Sequence, residues 1–235
     1  MIRNKLSQHE FVATGHFGFD TLKGFDVLIP TMSIVDREHL LEADRLLLIQ
    51  QCGAGLESVD IEAAKNMKIK VANVPADISG NADSVAELGI YLMIGLSRNV
   101  RQMAASFANG HMGSPPGRAL RGKTVGIIGL GGIGSALARR LKPFDVNLIG
   151  IKRHDPQKAK EELGLEWVGT PAELNELLSR SDYVVLCLPV TNESRNMMGR
   201  QSFQAMKQDA FLINLSRGGL VDSDALEDAL ASRTI

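Results

Sequence analysis

Three groups of residues in this chain have the types and spacing to do chemistry. They are the glycine series Gly129-Leu-Gly131-Gly132-Ile133-Gly134, the two small-residue turns around Gly53-Ala54-Gly55 and Arg217-Gly-Gly, and the cation pair Lys152-Arg153. In Gly129-x-Gly131-x-x-Gly134 the first glycine allows a tight turn. The second leaves room for a pyrophosphate to approach the backbone, and the third lets a helix pack close to a strand. Gly132 and Ile133 complete the turn, where a helix N-terminus supplies unpaired N–H groups and a partial positive charge for phosphates. The motif follows the apolar run at 125–128 and precedes the helix-forming stretch 135–141, the strand–turn–helix context of a dinucleotide cradle. The alternative reading is a glycine-rich structural turn.

An acid about 20 residues beyond such a motif binds the ribose 2′-hydroxyl of NAD. Here that position is Lys152, followed by Arg153, and no acid occurs before Asp155. Two cations attract a 2′-phosphate that a carboxylate would repel, which favours NADP and leaves NAD possible. The counter-reading is that both residues cap a surface turn. Arg217 follows the apolar run 211–215 and so falls at a strand's carboxyl end, where doubly wound folds bind ligands. Its guanidinium offers a rigid fork of donors to a carboxylate and stays charged near neutral pH. A solvated surface arginine is the competing reading. Gly53-Ala54-Gly55, after the apolar run 46–49, would let backbone N–H groups form a concave anion site; an ordinary strand-to-helix turn needs the same glycines.

The elements that must position these residues alternate. Strand-like runs at 26–29, 46–50 and 69–71 are separated by helical patterns at 37–41 and 58–66, the signature of parallel α/β units. A long helix is expected from 82 to about 109, with Leu88, Leu92 and Leu96 on an apolar face, followed by a linker at 113–117. A second alternating series has strands at 124–129, 146–151, 166–168, 183–188 and 211–215, with helices at 135–142, 156–163, 171–179, 200–206 and 223–231. That is a doubly wound parallel sheet up to its fifth strand.

Composition agrees with a globular protein. Apolar residues make up 44% and charged residues 23% of 235, and the formal net charge is −1, which gives no global argument for nucleic acid or an anionic membrane. No apolar run is long enough to span a bilayer, and the first residues lack the apolar core of a signal peptide, so a cytoplasmic protein is expected. Cys52 and Cys187 sit in apolar sequence and read as buried reduced thiols, not a disulfide or metal site.

The order and spacing of several blocks resemble the D-isomer-specific 2-hydroxyacid dehydrogenase family. These blocks are Gly53-Ala-Gly55-Leu-Glu-Ser-Val-Asp60, Lys70-Val-Ala-Asn-Val-Pro75, Ser84-Val-Ala-Glu87, the glycine motif, Leu186-Cys-Leu-Pro-Val-Thr191 and Ile213-Asn-Leu-Ser-Arg-Gly-Gly-Leu-Val-Asp222. The resemblance implies a partial, flavodoxin-like α/β substrate domain over residues 1–99 and an NAD(P)-binding Rossmann domain over 100–235 lacking its last strand, with the active site between them. It implies hydride transfer between a nicotinamide and a small 2-keto or 2-hydroxy acid. In that scheme Arg217 binds the substrate carboxylate and keto oxygen, and Gly53, Ala54 and Gly55 form the second grip. Leu188 and Pro189 line the adenosine side, Leu215 and Ser216 lie beside the nicotinamide, and a homodimer is expected. Asn73 and Glu87 fall near the cleft in the family pattern, and read equally as a turn and a helix-surface residue.

The resemblance places the proton donor, a histidine after a proline with a glutamate partner, downstream of the Arg-Gly-Gly block. None of His9, His16, His39, His111 and His154 follows a proline. The alternative to a dehydrogenase is therefore a cofactor-binding but inactive fragment or pseudoenzyme. A third reading, a Rossmann enzyme of the adenosylhomocysteine hydrolase type, is opposed by the Arg-Gly-Gly-Leu-Val-Asp block.

Overall fold

The computed structural model describes residues 2–235, which form two compact units, one up to Pro75 and one from Ala76 to Ile235. The first unit contains α1 (Ile2–Lys5), β1 (Val27–Leu28), α2 (Arg37–Glu42), β2 (Leu48–Gln50), α3 (Ile61–Asn66) and β3 (Lys70–Ala72). Its strands pair in parallel in the order β1-β2-β3, with Val27 opposite Leu48 and Ile49 opposite Val71. Ile49, Leu40, Val35 and Ala64 are buried in one cluster with Leu22 and Ile69. The helix expected over 58–66 starts only at Ile61. Asp60 is its N-cap, accepting from the Ala63 N–H at 2.9 Å, while Val59 is drawn into a bridge with Val35.

The second unit runs α4 (Asn81–Ser97), α5 (Val100–Ala108), β4 (Thr124–Ile128), α6 (Gly132–Leu141), β5 (Asn147–Ile151), α7 (Pro156–Leu163), β6 (Trp167–Gly169), α8 (Leu174–Arg180), β7 (Tyr183–Leu186), α9 (Arg200–Ala205), β8 (Phe211–Asn214) and α10 (Ser223–Ala231). Its five strands are all parallel, in the order β6-β5-β4-β7-β8. The chain winds outward from β4 in both directions, so the strand order reverses between β4 and β7.

The unbroken apolar runs of β4, β5 and β7 follow from burial on both faces. Val125 and Ile127 join one core cluster with Tyr183 and Val185, beneath Ala86 and Met93 of α4 and Leu137 and Leu141 of α6. Ile128 turns to the other face with Val184, Leu186 and Ile149, covered by Leu177 of α8 and Phe203 of α9. Successive residues thus serve opposite layers, as strand geometry requires.

The compact units part between Pro75 and Ala76, whereas the domains expected from the sequence meet at 99/100; α4 packs on α6 and β8 and so falls in the second unit. Two sequence expectations are corrected. The single helix expected to about 109 is two helices, broken where Asn99 takes φ +50. The break is fixed from outside: Arg118 N–H donates to the Ser97 carbonyl at 2.7 Å, and the Asn99 side chain donates to the Pro116 carbonyl at 3.0 Å. Leu92 packs against the core, whereas Leu88 and Leu96 are exposed. Finally, Cys187 is buried but Cys52 is exposed, because it lies in the turn after β2 and not in the strand; both are free thiols. Among the described residues no helix is long and apolar enough to cross a membrane.

Candidate functional site

The carboxyl ends of β4, β5, β7 and β8 lie in register. Gly129 N–H donates to the Ile151 carbonyl at 3.0 Å, Cys187 N–H to Ile128 at 2.8 Å, and Leu215 N–H to Leu186 at 3.1 Å. The carboxyl-terminal end of the sheet therefore carries the glycine turn, Lys152 and Arg153, Leu188 and Pro189, and the segment from Leu215 to Arg217.

The glycines divide by what surrounds them. Gly129 holds φ +97, and a Cβ there would lie 2.8 Å from the Cys187 carbonyl oxygen, so the turn is tight and pressed against β7. Gly134 is buried, and a Cβ there would meet the Gly129 carbonyl oxygen at 2.1 Å, which lets α6 sit directly against the strand end. Gly131 is the N-cap of the ten-residue α6, exposed, with nothing within 4 Å of where a Cβ would stand. Gly132 is also exposed, its Cβ position 3.5 Å from the Asp77 nitrogen, and Ile133 is half-buried against the core. The N–H groups of the first helical turn have no intrahelical partner and meet open space at Gly131. A cradle that a side chain would fill, at a helix N-terminus and beside the reversal of strand order, fits a bound pyrophosphate.

Both cations after β5 are engaged. Lys152 Nζ donates to the Leu130 carbonyl at 3.1 Å, reaching back to the glycine turn. Arg153 Nη2 lies 3.9 Å from Glu193 Oε2. Glu193 belongs to the turn after β7, where the Thr191 hydroxyl donates to it at 2.6 Å. That hydroxyl, then the Glu193 backbone N–H and the Arg153 charge, hold its carboxyl below the usual carboxylate range. The same turn is tied down by Ser194, whose Oγ accepts from the Thr191 N–H at 2.7 Å and donates to the Pro189 carbonyl at 2.9 Å. Beneath it, burial pushes the Cys187 thiol up to about 12, which leaves it neutral and unreactive.

Leu215 is half-buried, and its Cδ1 is 2.7 Å from where a Cβ on Gly89 of α4 would be, so that glycine seats the end of β8. Ser216 N–H donates to the Asn214 side chain at 2.9 Å, and Asn214 Nδ2 donates to the Arg217 carbonyl at 2.8 Å. The segment after Arg217 is pinned by Asn196 N–H to the Gly219 carbonyl, 2.9 Å, and Met198 N–H to Leu220, 3.0 Å. Arg217 itself is exposed at this rigid turn, with Nη1 3.3 Å from the Ser216 carbonyl. Glu87 is an ion-pair residue, 3.8 Å from Arg140 Nε, while Asp83 meets Arg140 Nη1 at 2.9 Å.

In the first unit, Gly53, Ala54 and Gly55 form the turn after β2, with Gly53 facing open space. The turn's carbonyls are held: Asn73 Nδ2 donates to Ala54 at 2.7 Å and Val74 N–H to Gly53 at 3.1 Å. This assigns Asn73 a turn-fixing contact that its sequence block only hinted at. Glu193 is the charged neighbour that sequence reasoning missed, since nothing local links it to a residue 40 positions earlier.

Residues 90–235 match the family model described as D-isomer specific 2-hydroxyacid dehydrogenase, NAD binding domain. The chain is 37% identical over 214 residues to D-3-phosphoglycerate dehydrogenase of Methanocaldococcus jannaschii, covering 90% of this chain and 40% of that protein. It is 37% identical over 205 residues to glyoxylate reductase of Thermococcus litoralis, covering 83% of this chain and 60% of the relative. The chain thus spans about half the length of these curated relatives. Among solved structures, it is similar to NAD-dependent formate dehydrogenase from Staphylococcus aureus in complex with NAD, with TM-score 0.86 and 30% identity, covering 99% of this chain and 71% of that one.

Proposed function

This chain belongs to the D-isomer-specific 2-hydroxyacid dehydrogenase family, and on that premise we propose that it forms part of an oxidoreductase acting on a small 2-keto or 2-hydroxy acid with a nicotinamide dinucleotide. The observation that carries this reading is the open backbone at Gly131, at the start of α6 and the reversal point of a parallel sheet. Gly129 and Gly134 set the turn's shape, and the N–H groups of Gly132 and Ile133 hold the pyrophosphate. Leu188 and Pro189 flank the adenosine, and Leu215 and Ser216 flank the nicotinamide. The nicotinamide, when bound, supplies or accepts the hydride. Arg217 grips the substrate carboxylate and stabilises the negative charge that develops on the keto oxygen. Within the first unit, the turn of Gly53, Ala54 and Gly55 is suited to offering backbone N–H groups to an anion such as a carboxylate.

Lys152 and Arg153, with no acid at the ribose position, favour NADP over NAD. Exposed Leu88, Tyr91, Met103 and Phe107 on α4 and α5 support a homodimer formed through those helices. The absence of a membrane-spanning helix among the described residues is compatible with a cytoplasmic protein. Titration with NADPH and NADH, followed by nicotinamide fluorescence, tests the cofactor reading. NADPH is expected to bind more tightly, and Lys152→Met with Arg153→Met to weaken NADPH selectively. Equal or tighter NADH binding rejects the NADP preference; binding of neither rejects the whole reading.

A further inference from the structure

The Arg153–Glu193 pair joins the loop after β5 to the loop after β7, the two strands flanking β4, and so lies at the carboxyl-terminal end of the sheet, which also carries Gly129. Of the two cations there, Lys152 is bonded to a backbone carbonyl, whereas Arg153 is paired with a side chain across 3.9 Å and is 56% exposed. Arg153 is therefore the cation free to exchange partners. Glu193 is the fixed member of the pair, because Thr191 holds its carboxylate and Ser194 holds the turn.

We propose that Glu193 is a specificity-determining residue, whose carboxylate opposes a nucleotide 2′-phosphate by occupying Arg153 and by its own charge, so that it limits the preference for NADPH over NADH. The inference rests on the cofactor reading above and refines it. A 2′-phosphate that reaches Arg153 must replace Glu193 as its partner and settle within a few ångströms of a fixed negative charge. A 2′-hydroxyl meets no such penalty. One charge against roughly two, about 6 Å apart in water and screened at physiological salt, amounts to about a three- to tenfold difference in affinity.

The test uses the whole chain and the variant Glu193→Gln, titrated with NADPH, NADH, 2′,5′-ADP and 5′-AMP at low salt and at 1 M salt. The variant is expected to bind NADPH and 2′,5′-ADP about three- to tenfold more tightly, with NADH and 5′-AMP changed less than twofold, and the gain is expected to shrink at 1 M salt. An unchanged NADPH-to-NADH ratio overturns the proposal. So does an equal change for all four ligands, which marks a merely structural role, or a gain that high salt leaves intact. If the unmodified protein binds none of the four, the underlying cofactor reading falls first; if it binds them with the ratio unmoved by Glu193→Gln, this proposal alone falls.

Discussion

Replacing Gly134 by alanine sets two effects against each other in one residue. Within a helix, glycine to alanine is worth up to about 1 kcal/mol in favour of the folded state. Against that, the new Cβ would stand 2.1 Å from the Gly129 carbonyl oxygen and 3.2 Å from Ile127 Cγ2. The nearer obstacle is backbone, held in turn by the bond from Gly129 N–H to the Ile151 carbonyl, so no side chain can swing aside. The start of α6 must move outward by more than 1 Å, which puts the cost at the upper end of overpacking, about 3 kcal/mol. The net loss is then about 2 kcal/mol, or a fall in Tm of about 4–8 °C for a chain of this size. Trp167, the sole tryptophan, sits in β6 of the same sheet, so its fluorescence during thermal unfolding reports this unit. Gly95→Ala in α4 is the matched control: nothing lies within 4 Å of its Cβ position, and the variant should be unchanged or slightly stabilised. If Gly134→Ala unfolds at or above the temperature of the unmodified protein, the close approach of helix and turn is refuted.

Further consequences are measurable. Ser97→Ala removes the 2.6 Å contact to Tyr183 OH inside the core, where Tyr183 is 1% exposed, and should cost about 1–3 kcal/mol in denaturant unfolding. Ser97→Ala with Tyr183→Phe should cost clearly less than the sum of the single changes; strict additivity would show that the two hydroxyls are not coupled. Native protein treated with a thiol reagent at pH 8 should release one fast equivalent from exposed Cys52, with Cys187 reacting only on unfolding, since its thiol is held up at about 12; two fast equivalents would contradict its burial. The Thr170 backbone N–H, then its hydroxyl, lower the Glu173 carboxyl below its ordinary value. A lowered folded-state value contributes stability above the unfolded value that is lost as pH falls through the folded one. Glu173→Gln should therefore be less stable than the unmodified protein at neutral pH and converge with it in acid; parallel curves would contradict the assignment.

What the sequence made legible was local. Val125 to Ile128 and the three spaced glycines carry their own steric logic, and the fivefold alternation of strand and helix dictates a parallel sheet. The break at Asn99 was hidden because it depends on Pro116 and Arg118, residues beyond the helix itself. The boundary at Pro75 was hidden for the same kind of reason: α4 reads as a continuation of the first series, and only its packing on α6 and β8 assigns it to the second. At the site, the residue types at Lys152 and Arg153 were readable, but not their partners. Leu130 and Glu193 lie 22 and 40 positions away and are brought near by strand order alone.

The open backbone of Gly131 is where the account is most exposed to test. Gly131→Ala should leave the thermal unfolding of Trp167 within about 2 °C of the unmodified protein, since the new methyl meets nothing within 4 Å and only a weak helix cap is lost. It should nonetheless weaken NADPH and NADH binding by more than about tenfold, because the proposed function puts the pyrophosphate in that space. A folded Gly131→Ala protein that binds NADPH as tightly as its parent would contradict the account.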